Sequence, residues 1–488
     1  MQFGYFTLNS FVKGTIMETK LNFKYFALLC VIVVAALLVL FPIANQPVTF
    51  SYSAAVVLIT LAFWSTSVLP PFLTGLIFFA LVAIFQLAEP SLLFSGFAST
   101  AVWLIISGFI IGSAISSSGL DKRLASVIAP HLTLSYPRLI LGLVMSAVLL
   151  GFIMPSSVGR AVVLIPVGMA LAKGVGFASG SNGRKGIATA LAIACNMPSF
   201  AVLPANIPNM ILAGASESLF DIHFGYMEYL LLHFPILGIV KSLLIVVLVL
   251  VIFPDKISKA QEGDLIQENN DFNLDEKANV DSKLQKKVGL LLAVTLLFWM
   301  TDSIHGVSSA WVGLTAAIIL LLPKWGVVEP KSFSRSVDFG TVVFVAAALG
   351  LGTLVNTSGV GEFMGQAFSY LLPSSSDNSF LSFMSLSLIS TLSGLVTTIP
   401  GVPTVLSPMA ADFAQLTGFT LPAVLMTQVI GFSTVIFPYQ VAPLILAMQL
   451  SKEPLSSLLK ITLPLAAITI LLLMPLDYLW WLSLGWIN

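Results

Sequence analysis

The chain alternates long apolar runs with short polar breaks. The first run, 25–43, is long enough to span a bilayer core, which needs roughly 20 residues as a helix. It is too long for a typical signal-peptide core and reads as a retained span. Runs follow at 53–68 and 72–87, separated by Pro70-Pro71, and at 100–118. Residues 139–153 and 161–171 are each too short to cross, so they form a first hairpin. Residues 186–195 and 209–215 are also short, with a Pro-rich break between them. A long run at 230–253 follows; after a polar stretch come 288–300, 307–322 and 342–355, then a short pair at 381–396 and 404–413, a broken segment at 421–432 and 444–450, and a last run at 461–481. With each broken segment counted as one span, the pattern predicts an all-α polytopic membrane protein. It has about eleven transmembrane helices plus two re-entrant hairpins.

Composition agrees. Of 488 residues, 57% are hydrophobic and 9% charged, with a mean hydropathy of +0.99. A soluble domain carries roughly a quarter charged residues. The composition therefore excludes a soluble enzyme, a nucleic-acid binder and a disordered scaffold.

Net charge is zero, but the charges are sorted. With the N-terminus inside, 20 of the 22 basic residues fall in predicted cytoplasmic segments, as the positive-inside rule requires. The exceptions, Arg160 and Lys241, fall within membrane segments. This places the C-terminus outside, with Trp480, Trp481 and Trp486 as an interfacial belt. The expected location is the plasma membrane, the inner membrane in a bacterium. Residues 1–24 read as a cytoplasmic tail in which Met17 offers a second start. Residues 254–287 read as a polar cytoplasmic linker; from 255 to 287, 14 of 33 residues are charged. The two cysteines lie in apolar runs, and the four histidines form no HExxH or CxxC pattern, so neither disulfide nor resident metal is signalled.

The chain also contains itself twice. Ser118-Gly119-Leu120 and Ser358-Gly359-Val360 lie 240 residues apart; the segments 160–166 (RAVVLIP) and 402–408 (VPTVLSP) lie 242 apart; 205–209 (ANIPN) and 440–444 (QVAPL) lie 235 apart. The first span plus repeat 1 occupies 25–253, with a hairpin tip at 154–160 and a broken helix at 186–215. Repeat 2 occupies 288–488, with a tip at 397–404 and a broken helix at 421–450. Each repeat has five crossings, an odd number, so the copies face opposite ways, as in many secondary transporters.

Non-helical backbone at membrane depth is tolerated only where protein or cavity water satisfies it. The tips and breaks are therefore candidate chemistry. Each tip sets hydroxyl groups and free N–H groups at the start of the returning arm, where a helix N-terminus favours an anion. The half-helices before the breaks end in carbonyls that suit a cation. Candidate substrate contacts are Ser156, Ser157, Arg160, Thr397, Thr398, Asn206, Val441 and Ala442. Candidate ligands for sodium are Ser156, Ser157, Ser199, Thr398 and Gln440. The tip serines also suit simple N-capping, Pro155, Pro400 and Pro403 suit turn shape, and the Asn206 and Gln440 amides suit local backbone. Arg160 is expected as a carboxylate clamp or as a side chain snorkelling into a vestibule. Lys241 is expected to snorkel or pair. Asp302, Asp338 and Asp477 are placed near span ends, which leaves few carboxylates for a proton or cation antiporter. The glycines of 108–119 are expected to let helices pack closely against a moving part.

At these residues the sequence resembles the divalent anion:sodium symporter family, carriers of di- and tricarboxylates and sulfate. The family's Ser-Asn-Thr signature at each tip, about ten residues before a proline, appears here as Ser156-Ser157-Val158 before Pro166 and as Thr398-Ile399-Pro400 before Pro408. Its Gly-Thr-Pro-Pro-Asn run appears as Ala205-Asn206-Ile207-Pro208-Asn209, with Gln440-Val441-Ala442-Pro443-Leu444 in the second half. The resemblance implies a secondary carrier of small anions with possible sodium coupling, a homodimer in lipid, and an elevator-type movement of hairpins and broken helices. It implies neither an enzyme nor a cofactor beyond the coupling ion. Because both tips lack the family's Asn, a sodium-independent anion exchanger on the same fold stands as the alternative, with Arg160 as a fixed positive charge in place of sodium.

Overall fold

The computed structural model describes residues 25–120, 123, 135–154, 156–257, 282–369, 372 and 378–487. The tail 1–24, most of the linker, and Pro155 of the first tip lie outside the described residues. Every regular element among the described residues is helical. Eight helices have the length and apolarity to cross a membrane, from Val48–Thr66 to Leu455–Ser483. Shorter apolar helices, among them Tyr25–Leu40, Pro71–Ile84 and Ser309–Leu321, accompany them. Large apolar side chains point outward all round: Leu40, Ile84, Val251 and Leu471 are 70%, 72%, 69% and 71% exposed. Such a surface needs lipid, not water, and the chain is an all-α polytopic membrane protein.

The element order recurs. Val48–Thr66, Pro71–Ile84, Thr100–Ser118, the hairpin Tyr136–Ile153 with Ser157–Gly174, the half-helices Asn182–Ala194 and Ile207–Phe220, and the long helix to Ile252 come first. Ser282–Met300, Ser309–Leu321, Phe339–Thr357, the hairpin of Ser379–Thr397 with the segment to Thr417, Leu421–Phe432 and Ala442–Ser451, and the helix to Ser483 follow in the same order. Even the local flaws match: each closing helix carries a π-helical stretch, Phe234–Val240 and Thr469–Leu473.

The hairpin arms are longer than hydropathy indicates. Tyr136–Ile153 and Ser157–Gly174 each have 18 residues, which is long enough to cross rather than too short. Their first turns are helical but polar, through Arg138 in one and Ser157 and Arg160 in the other, so an apolar window trims them. Ser135 and Ser156 start the arms by accepting the N–H groups of Arg138 and Gly159. Pro166 sits inside its helix without ending it, whereas Pro408 turns the matching place into a 3₁₀ turn, Ser407–Met409.

Hairpins and half-helices from the two repeats pack on one another. The return arm Ser157–Gly174 touches both Asn182–Ala194 and Ala442–Ser451, so the first hairpin grips half-helices from both halves. Ser379–Thr397 lies along Leu421–Phe432 so closely that a Cβ on Gly431 would fall 2.2 Å from Ser390 Cβ. Arg184 and Glu453 join the two broken spans through a 2.9 Å ion pair. The remaining helices pair crosswise between the repeats, each with the helix next to its own mate: Thr100–Ser118 with Ser309–Leu321, and Pro71–Ile84 with Phe339–Thr357.

One expectation is corrected. Trp481 is fully buried, edge-on to Phe383 at 5.2 Å, and takes no part in an interfacial belt. Asp477, one helical turn before it, is also fully buried. A Cβ on Gly112 would meet nothing within 4 Å, whereas one on Gly96 would fall 2.4 Å from the Ala346 carbonyl oxygen. The short turn Ser95–Ala98 thus makes a close backbone approach of its own.

Candidate functional site

Both tips and both breaks line one cavity of about 520 Å³. The first half brings Ser156, Ser157, Val158, Asn196, Asn206 and Ile207; the second brings Ile399, Pro400, Gln440, Val441 and Ala442. Thr397 and Thr398 do not line it. The Thr397 hydroxyl turns back to the Ser393 carbonyl, 2.9 Å away, and Thr398 adopts a left-handed φ of 64° that swings the tip past it.

A hydrogen-bonded chain runs from the first tip into the first break. Ser157 Oγ donates to Asn206 Oδ1 at 2.9 Å. Asn206 Nδ2 donates to Ser199 Oγ at 2.7 Å and to the Asn196 carbonyl at 3.1 Å. Ser199 Oγ donates to the Asn196 carbonyl and accepts from Arg160 Nη2, both at 2.6 Å.

Arg160 is fully buried and does not line the cavity, neither clamping from the wall nor snorkelling. Its Nε donates to the Cys195 carbonyl at 3.0 Å, and Nη1 donates to the Met154 carbonyl; both Nη groups reach Ala205 O at 3.4 Å. It therefore ties the tip to both sides of the break. Among the described residues it has no ion pair, only neutral oxygens. A buried charge without a counter-charge costs several kcal/mol unless its hydrogen bonds are complete, and here carbonyls complete them.

Cys195 is the cap that closes the half-helix Asn182–Ala194. In the second half the same place, the cap of Leu421–Phe432, is Ser433. Its carbonyl accepts from Lys241 Nζ at 2.7 Å. Lys241 is buried, and the Asp477 carboxylate acts on it electrostatically. The two intramembrane basic residues thus cover the two half-helix C-termini. Ser199, expected as a cation ligand, meets the guanidinium instead. Gln440 spends its Oε1 on the N–H groups of Ile436 and Phe437, at 2.9 and 2.8 Å, while its Nε2 has no partner.

The far wall holds residues that sequence reasoning missed: Phe72, Ile105, Phe109, Asp338, Thr341 and Phe344. Apolar positions inside long spans carry no mark that they face a cavity. Asp338 caps Phe339–Thr357 through the Thr341 N–H and is the one charged residue on the lining.

A family model described as Citrate transporter matches residues 61–432. A membrane protein of Cupriavidus necator is 25% identical over 275 residues, covering 56% of this chain and 52% of that protein. The L-tartrate/succinate antiporter of Escherichia coli strain K12 is 23% identical over 307 residues, covering 59% of this chain and 61% of that one. The chain spans about half to three fifths of these relatives. The crystal structure of the Alcanivorax borkumensis YdaH transporter has a TM-score of 0.51 at 17% identity, covering 81% of this chain and 88% of that one, a likeness of fold.

Proposed function

The chain belongs to the citrate transporter family, and from that premise we propose that it carries small carboxylates across the membrane by exchange, independently of sodium. The observation that carries this reading is the pairing of cavity and cations. An anion-sized cavity lies at two hairpin tips and two helix breaks, while the half-helix ends where a coupling cation would sit are covered by Arg160 and Lys241. A tethered cation cannot dissociate, so it supplies positive potential without coupling to a gradient. An empty carrier would then hold Arg160 without a counter-charge. Its hydrogen bonds are complete, so the cost lies in moving an uncompensated charge across the bilayer, which disfavours return of the unloaded state and favours one-for-one exchange. The kind of exchange printed for the tartrate/succinate relative fits this reading.

The hairpins and half-helices form the moving body. Their mutual packing, with Arg184 and Glu453 joining the two broken spans, supports motion as a unit against the long helices. Sodium-coupled symport is the rival that the test separates. Purified protein in proteoliposomes takes up labelled carboxylate when loaded inside with unlabelled carboxylate, equally with sodium or choline outside. Empty vesicles that fill as fast as loaded ones, or uptake that needs an inward sodium gradient, refute exchange.

A further inference from the structure

The two poles of the cavity occupy matching places in the repeat but differ in chemistry. At the first pole Ser156, Ser157 and Asn206 line the wall, with Arg160 behind them. The matching positions are Thr398, Ile399, Val441 and Val402. Thr398 is withdrawn from the lining, and Val402 is fully buried and apolar.

The backbone reinforces the contrast. Among the described residues, the N–H groups of Ser157 and Val158 at the start of the first return arm have no backbone partner. At the second tip the N–H of Ile399 goes to the Gln440 carbonyl, those of Gly401 and Val402 go to Thr398 and Ile399, and Pro400 and Pro403 have none. What remains on the lining there, among the described residues, is two neutral donors, Gln440 Nε2 and the N–H of Ala442 at the start of its half-helix. The same cavity is lined by the aromatic rings of Phe72, Phe109, Phe200 and Phe344, and its one charged lining residue is a carboxylate, Asp338.

A symmetric dicarboxylate needs two like poles. Its second carboxylate would lose water for two neutral donors and an apolar tip, in a cavity whose one charged lining residue is the carboxylate Asp338. Desolvating a charge without a partner costs several kcal/mol. Seating hydrocarbon there gains about 25 cal/mol per Å² of apolar surface.

We propose that the cargo is an unsymmetrical amphipathic monocarboxylate. Its carboxylate seats at the first tip on Ser156, Ser157 and Asn206, and its uncharged body lies against Ile399, Val441 and the aromatic wall. This names the substrate class of the carrier described above and rests on that reading. The cargo's negative charge is opposite to that of the buried Arg160 guanidinium behind the first tip.

The test uses the purified full chain in detergent, with titration calorimetry on matched pairs: hexanoate against adipate, and 4-phenylbutyrate against succinate. Binding rather than uptake is read because hexanoic and phenylbutyric acids leak through bilayers. The expected result is that each monocarboxylate binds at least about tenfold tighter than its dicarboxylate partner. In Ile399→Ser/Val441→Asn, which restores the first pole's groups at the second, the preference falls by about tenfold or reverses. Ile399→Thr alone, a smaller change, shifts it the same way. Dicarboxylates binding as tightly as monocarboxylates, or variants that bind with unchanged preference, overturn the amphipathic cargo and leave carboxylate exchange standing. Failure of every carboxylate to bind overturns both.

Discussion

The Nε–H of Arg160 lies 3.0 Å from the carbonyl oxygen of Cys195, the cap residue of the first half-helix. A half-helix C-terminus carries about half a negative charge, and at membrane depth no water is at hand to offset it. The second half solves the same problem with a residue from a different element, Lys241 on Ser433. The cations are recruited separately, from a hairpin arm and from a long helix, yet end at equivalent carbonyls.

Replacing Arg160 by alanine leaves the carbonyls of Met154, Cys195 and Ala205 without that donor. Each unsatisfied buried group costs about 1–3 kcal/mol, so the melting temperature of the purified protein falls clearly. Vacant carbonyls then invite a free cation. Millimolar sodium raises the melting temperature of Arg160→Ala, while choline does not, and wild type responds to neither. A sodium response equal in wild type and variant would show that the guanidinium does not fill a cation seat.

Asn206→Asp separates stability from binding. The new carboxylate stays within the chain Ser157–Asn206–Ser199–Arg160 and gives the guanidinium a counter-charge. Thermal stability rises, while carboxylate binding falls by about a hundredfold or more, because a fixed anion now occupies the pole. Thermal-shift and calorimetric titration read the two effects independently. A fall in both would mean that Asn206 acts only as a structural bracket.

Much of this was legible in the sequence, for definable reasons. Spans and breaks follow from apolar runs and prolines, because an unsatisfied backbone in lipid is too costly to hide. The tips and breaks were found because Ser156, Ser157, Asn206 and Gln440 are polar residues where lipid permits none without cause. Arg160 was marked by its depth, but not its direction: which carbonyls a long side chain reaches depends on tertiary packing across 35 residues to Cys195. The pairing of Lys241 with Ser433 spans 192 residues and leaves no local trace. Trp481 was misplaced because an aromatic residue near a span end reads the same whether it faces the interface or packs inward, as it does here against Phe383. The aromatic wall was illegible because Phe72 and Phe344 read the same whether they face lipid, core or cavity.

Glu453 lies at the end of the second broken span, with a side chain 2% exposed, and takes Arg184 Nε at 2.9 Å. Arg184 also donates from Nη2 to the Ser451 carbonyl at 3.3 Å. Glu453→Gln removes the charge but keeps the shape. Arg184 is 19% exposed and retains some water, so the loss is about 1–3 kcal/mol, below that for a fully buried pair. Melting temperature falls, and binding of carboxylate at the distant cavity holds. Loss of binding with unchanged melting temperature would place this pair in the site instead of the frame.

Lys241 and Asp477 are both buried, and neither Asp477 oxygen has a hydrogen-bond partner. The two groups act on each other through charge. Removing one therefore strands the other in a low-dielectric interior, which costs about 3–5 kcal/mol. Lys241→Met and Asp477→Leu each lower the melting temperature strongly. The double variant exchanges a charge pair for hydrocarbon and loses less than the sum, with an interaction of about 1–3 kcal/mol in a double-mutant cycle. Strict additivity would mean that Asp477 does not compensate Lys241. The residual loss in the double variant then measures what the Lys241 cap on Ser433 contributes alone, since that hydrogen bond stays broken while the charge imbalance is gone.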